Sequence, residues 1–146
     1  MRTIFVLLMC VATPYSVTHS GRTSTEDRAE IEGVVLLDLV KNRAAAPLIV
    51  VDLATSEVEN IRRATAALRN KLMSRPEFLR KYRSWANAPR GSAEFSLTID
   101  EIQPRRAIVL AGTPMIGVSG SRDRFTLSKR RAKWIIIRRE ANYQVA

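Results

Sequence analysis

The chain reads as an α+β domain: N-terminal helices packed on one face of a mainly antiparallel sheet of about four strands, the sheet formed by the C-terminal half. Three observations predict this. The first half contains two Ser-x-x-Glu boxes, each opening a segment with helical signals. The spacing of apolar residues changes from three-to-four to two after Asn87-Ala88-Pro89-Arg90-Gly91. Strand-like runs then follow one another to the C-terminus with no further helix start, which favours a layered sheet with helices on one side.

After the polar leader GRTSTEDR, residues Ala29 to Lys41 read AEIEGVVLLDLVK. Acidic residues lead this run and Lys41 and Arg43 follow it, which suits a helix dipole, and Ser24 or Thr25 can cap it. Its interior is apolar on nearly all sides apart from Asp38, so a buried helix is expected; Gly33 and the Val34-Val35 pair leave a strand as the alternative. Pro47 to Leu53 is short, apolar and β-branched, a strand buried on both faces. Ser56 to Glu59 form the first capping box, and Val58, Ile61, Thr65, Leu68 and Leu72 follow at spacings of three and four. That stripe predicts an amphipathic helix over 57–73. Ser74 to Glu77 form the second box, with Pro76 tolerated in the first turn because its missing N–H costs nothing there. Phe78, Leu79, Tyr82 and Trp85 gather on one side of this helix, expected to face the core, while Arg80, Lys81 and Arg83 fall on the other.

In the second half Phe95, Leu97 and Ile99 alternate with polar neighbours, 106–111 form a more buried strand, and Phe125 and Leu127 alternate with Arg124, Thr126 and Ser128. Residues 133–140 make the last strand. Strict alternation points Trp134, Ile136 and Arg138 one way and Ile135, Ile137 and Arg139 the other. Both faces are then apolar in the middle, as in a central or helix-covered strand with charged ends.

The first twenty residues have the order of a secretory signal peptide: Arg2, an apolar run from Ile4 to Ala12, then Pro14 and small polar residues ending Thr18-His19-Ser20. The run is too short for the about 20 residues a membrane-spanning helix needs, so no transmembrane helix is expected after cleavage. The expected product is a single domain, residues 21–146, placed in the periplasm or outside the cell. Cys10 and His19 are the only cysteine and histidine, and both lie in the leader. The mature chain therefore has no disulfide, thiol nucleophile, Cys- or His-liganded zinc site or histidine-based triad. Neither cofactor nor metal is expected. Charge is uneven. Residues 21–60 hold four basic and eight acidic side chains, and residues 61–146 hold nineteen basic and six acidic. This asymmetry favours an acidic partner.

Several residues carry a resemblance. Glu30, Leu36 and Leu37, then Val50, Asp52 and Thr55, then Leu127, Lys129, Trp134 and Ile136 follow the order of a Glu-led helix ending near LL-x-x-L, a strand of the form L-V-V-x-D-x-T, and a closing L-x-K, turn, W-x-I. In these the chain resembles a family of uncharacterised secreted bacterial proteins, and its closing strand is similar to those of cystatin-like and nuclear-transport-factor-2-like folds. The resemblance implies secretion and a helix packed into a curved sheet, and it carries over no catalytic residue.

Among motifs, Gly112 to Ser119 has the spacing G-x4-G-x-S of a phosphate loop, but Val118 stands where the lysine is needed and a strand, not a helix, follows. A glycine-punctuated connection is the better reading. Asp52 is read as a helix-capping carboxylate in preference to a cation ligand, and Asp38 as a rim or salt-bridged acid. The charges of the two helices read as a solvated face, since their aromatics are expected in the core and not free to stack on bases. The candidate anion-binding set is Lys129, Arg130, Arg131 and Lys133, the turn before the last strand, with Arg80 and Arg83 joining if the fold brings them near. The function expected is a secreted, non-enzymatic binding or interaction domain. The alternatives are a protein held on anionic lipid or envelope polyanions, and a small hydrolase or isomerase with a carboxylate-based pocket. Nucleic acid fits the charge, but export makes it a less natural partner.

Overall fold

The computed structural model describes residues 25–43, 45–53, 58–68, 71–113 and 121–143. The leader, Ser56 and Glu57 of the first capping box and residues 114–119 of the phosphate-loop-like segment lie outside the described residues. The order of elements is α1 (Thr25–Val40), β1 (Ile49–Leu53), α2 (Val58–Ala64), β2 (Leu72–Ser74), α3 (Arg75–Tyr82), β3 (Ala93–Gln103), β4 (Arg106–Gly112), β5 (Arg122–Arg130) and β6 (Lys133–Glu140). The class is α+β, as the change of period predicts.

The strands form one six-stranded sheet in the order β2-β1-β3-β4-β5-β6. The expected run of four antiparallel strands is present as β3 to β6. The sheet is larger and mixed, however, because β1 lies parallel to both β2 and β3. The helix expected over 57–73 stops at Ala64, a 3-10 turn covers Ala66–Leu68, and Leu72–Ser74 is a strand. Leu72 and Met73 stand opposite Ile49 and Val50, so they satisfy the backbone of β1 that would otherwise be an open edge. Tertiary pairing overrides the last turn of the helical stripe.

Alternation along β1 decides where the helices go. Ile49 and Val51 enter the main core with Ile31, Val35 and Leu36 of α1, Ile61 of α2, and Phe95, Val109, Phe125 and Trp134 of the meander. Leu48 and Val50 point the other way, onto Phe78 of α3. The helices therefore occupy both faces, not one: α1 and α2 cover the first, and α3 covers the β1 end of the second. Burying a side chain such as Phe125 or Leu127, both fully enclosed, contributes about 2–3 kcal/mol.

Gly33 is explained by the crossing of α1 and α2. A Cβ there would collide with the hydroxyl of the buried Thr65 at the end of α2, so the residue that left α1 open to a strand reading is the one that lets the helices touch. The capping box at Ser74 forms as its sequence predicts: the Ser74 hydroxyl accepts from Glu77 N–H at 3.2 Å and the Glu77 carboxylate accepts from Ser74 N–H at 2.8 Å. The aromatic cluster forms only in part. Phe78 is buried and its ring lies 4.4 Å from that of Trp85 and 5.3 Å from that of Tyr82. Leu79 and Trp85 remain exposed, because the eight-residue helix ends at Tyr82 and its outer side has no element above it.

The last strand departs from its expected geometry. β6 is an edge strand, covered by α1 on one face. A bulge opposite Thr126 and Leu127 makes Ile136 pair with Leu127 but Arg138 with Thr126. Ile136 packs on the core and Arg139 reaches Asp38 of α1 at 2.7 Å, so Ile137 and Arg138 both turn to the face away from α1. The extra residue inverts the alternation beyond it.

Candidate functional site

Two hairpins end side by side at one end of the sheet. Arg106 of β4 is the ladder partner of Ser128, and Lys129 N–H donates to the Arg105 carbonyl at 3.0 Å. The turn Pro104-Arg105 is thereby held next to the end of β5. Arg130 and Lys133 are direct cross-strand partners flanking a two-residue turn, which brings their Cβ atoms within about 5.5 Å. Since Ala107, Leu127 and Trp134 face the core, Arg106, Arg130 and Lys133 share the opposite face. None of Arg105, Arg106, Arg130, Arg131 and Lys133 forms an ion pair among the described residues.

Arg131 and Ala132 form the turn with φ of 48° and 63°. Positive φ at both central positions is the type I′ form, whose twist matches that of the strands, and glycine or asparagine usually supplies it. A side-chain-bearing residue there costs about 1–2 kcal/mol. The turn accepts that cost and sets a guanidinium at its apex.

Lys129 is placed differently. It points toward α1, where its Nζ lies 2.5 Å from Asp27 Oδ1 and 5.7 Å from the centre of the Trp134 ring. Asp27 Oδ1 also accepts the Trp134 indole N–H at 2.9 Å, and Glu30 accepts the Trp134 backbone N–H at 3.0 Å. Of the candidate set Lys129 thus serves to join hairpin and helix, while Arg130, Arg131 and Lys133 have no ion pair among the described residues. Arg105 and Arg106 join them, and sequence reasoning missed these two. Their signal in the sequence is Pro104, which separates two strand-like runs; only the strand order shows that its turn abuts the next hairpin.

Arg80 and Arg83 lie elsewhere. Both belong to the end of α3, which packs on β1 and β2; four strand spacings, roughly 19 Å, separate β1 from β6. Arg83 closes α3 with φ 65° and donates its N–H to the Leu79 carbonyl at 3.0 Å. Arg80 lines a cleft of about 350 Å³ with Val51, Leu53, Val58, Glu59, Arg62, Ser74 and Glu77. This cleft lies at the carboxyl ends of β1 and β2, whose following helices leave to opposite faces, the arrangement that opens crevices in sheets with parallel strands.

The charges of the cleft are largely matched from within. Arg62 Nε and Nη2 donate to the Leu72 carbonyl at 3.2 and 2.7 Å, and its guanidinium contacts Glu59 at 3.1 Å and Glu77 at 3.4 Å. The Ser74 backbone N–H holds the Glu77 carboxyl below the ordinary glutamate value against the opposing effect of burial, with the Ser74 side chain and Arg62 adding to it. Glu77 therefore stays ionised as a helix cap and occupies the place where an anion would meet the α3 N-terminus. Asp52 pairs with Arg75 at 3.4 Å, and Asp38 with Lys41 and Arg139 at 2.6 and 2.7 Å, the salt-bridged role expected of it. Gly112 sits at the end of β4, where a Cβ would collide with the Ser121 carbonyl; this glycine answers a close backbone approach. Among the described residues no group of three or more His, Cys, Asp or Glu is arranged to hold a metal ion, and no helix is long and apolar enough to cross a membrane.

Compared with known families, curated proteins and solved structures, the chain matches none.

Proposed function

We propose that this chain is an exported, non-enzymatic binding domain that attaches to polyanions through its paired hairpin tips. One observation carries the reading: Arg130 and Lys133 stand directly opposite each other, beside Arg105, Arg106 and Arg131, with no ion pair to any of the five among the described residues. Like charges facing each other across a ladder destabilise a hairpin, and this one adds backbone strain at its apex. An external polyanion supplies the missing counter-charge. The leader's basic, apolar and polar order and the resemblance to secreted bacterial proteins support export. The confinement of Cys10 and His19 to that leader, with Glu77 committed as a cap, supports a binding role over catalysis.

The test is titration of the purified chain with long-chain polyphosphate across a salt series, beside an Arg130→Ala/Arg131→Ala/Lys133→Ala variant. Affinity is expected to fall linearly on a log–log plot against salt, and the variant to bind more weakly with a shallower slope, each lost contact lowering it by somewhat less than about one. Binding indifferent to salt, or an unchanged slope in the variant, refutes the proposal.

A further inference from the structure

On the face away from α1, the edge strand β6 presents Lys133, Ile135, Ile137 and Arg138, the last paired with Glu140 at 3.0 Å. Ile135 is 37% exposed and Ile137 51%. The bulge is what brings Ile137 and Arg138 to this face together, and the same face continues onto Arg130 and Arg106 of the neighbouring strands. The result is an apolar pair beside a cluster of cations at the rim of the molecule. A soluble polyanion would use only the cations and leave both isoleucines in water. An interface that offers phosphates beside hydrocarbon uses all of them, because binding there scales with apolar area buried plus attraction to anionic headgroups.

Pairing of β6 with another strand is opposed where Glu30 takes the Trp134 backbone N–H, and the isoleucines project from the sheet face, not along its edge. The charge also argues against a second copy, which would bring two uncompensated basic tips together. We infer that this rim seats on an anionic lipid bilayer, with Ile135 and Ile137 entering the boundary between headgroups and acyl chains and Arg106, Arg130 and Lys133 beside them on lipid phosphates. The inference rests on the reading of the tips as a polyanion site and specifies its partner.

The experiment uses the protein as released by an exporting host, so that it carries the N-terminus that export leaves. Wild type, Ile135→Ser/Ile137→Ser and the triple tip variant are sedimented with phosphatidylcholine vesicles, with phosphatidylcholine vesicles containing phosphatidylserine, and titrated with polyphosphate. The isoleucine variant is expected to lose about tenfold in affinity for the anionic vesicles and to keep its affinity for polyphosphate; the tip variant loses both. Equal binding of the isoleucine variant and wild type to anionic vesicles overturns the inference, as does wild type that binds polyphosphate but no vesicle, and in both cases the polyanion reading stands. Wild type that binds neither overturns both. Both isoleucines lie on the solvent side of the strand, so an unchanged thermal midpoint is expected and confirms that the variant is folded.

Discussion

Glu77 shows how one side chain can serve both a helix and a pH response. Its carboxylate closes the capping box on Ser74 N–H and lies 3.4 Å from Arg62, and its pKa in the folded chain is held below the ordinary value. A depressed folded pKa means a contribution that is fully present above the unfolded pKa and is lost as pH falls through the folded one. Urea unfolding followed from neutral pH down to about pH 3 should show wild type more stable than Glu77→Gln at the upper end and the difference shrinking as the carboxylate is protonated. A constant difference across the range would detach the effect from ionisation. Ser74 and Glu77 are also the residues whose role was most legible in the sequence, because a capping box involves positions only three apart.

Among the elements, β2 depends most on a single distant group. Its three residues pair with β1, and the Leu72 carbonyl receives two donors from Arg62 of α2. Arg62→Ala removes both and leaves Glu59 and Glu77 without that partner. A cost of about 1.5–3 kcal/mol is expected, the range for hydrogen bonds from charged groups. Native-state hydrogen exchange should show protection lost first at Met73, with the β3–β6 ladder less affected. Uniform loss across the sheet would mean that β2 is not a separable unit. The strand itself was not legible: Leu72 continues the stripe of Ile61, Thr65 and Leu68 perfectly well as helix, and what draws it away is the open edge of β1 some twenty residues earlier.

At the scale of the whole molecule, the first helix and the last hairpin are stitched together. Asp27 binds Lys129 and the Trp134 indole, and Glu30 binds the Trp134 backbone. At the other end of α1, Asp38 meets Arg139, which also holds the buried Asp123 at 2.6 Å and lies over the Phe125 ring. Asp27→Ala leaves the partly buried indole N–H and Lys129 ammonium without this acceptor and is expected to cost about 1–3 kcal/mol. Tryptophan fluorescence and far-ultraviolet circular dichroism should report one coincident transition at lower denaturant concentration, since the contact closes the chain end to end. Separate transitions by the two probes would show that the hairpin and helix unfold independently.

The sequence by itself determined what depends on near neighbours. It set the box at Ser74, the period-two strands from Phe95 onward, the buried helix before Val40, the excess of basic residues after Asn60 and the signal-like order of the leader. These follow from propensities and spacings that act within a few residues. Only the tertiary structure decided the pairing of Leu72–Ser74 with β1, the placement of α3 on the second face, the outward turn of Arg138 at the bulge, and which cations lack an ion pair among the described residues. Lys129 and Arg130 are adjacent in the chain, yet one is neutralised by an aspartate 102 residues away and the other faces Lys133 and the turn at Arg105. Charge acts through space over several ångströms, so the site depends on which strands become neighbours.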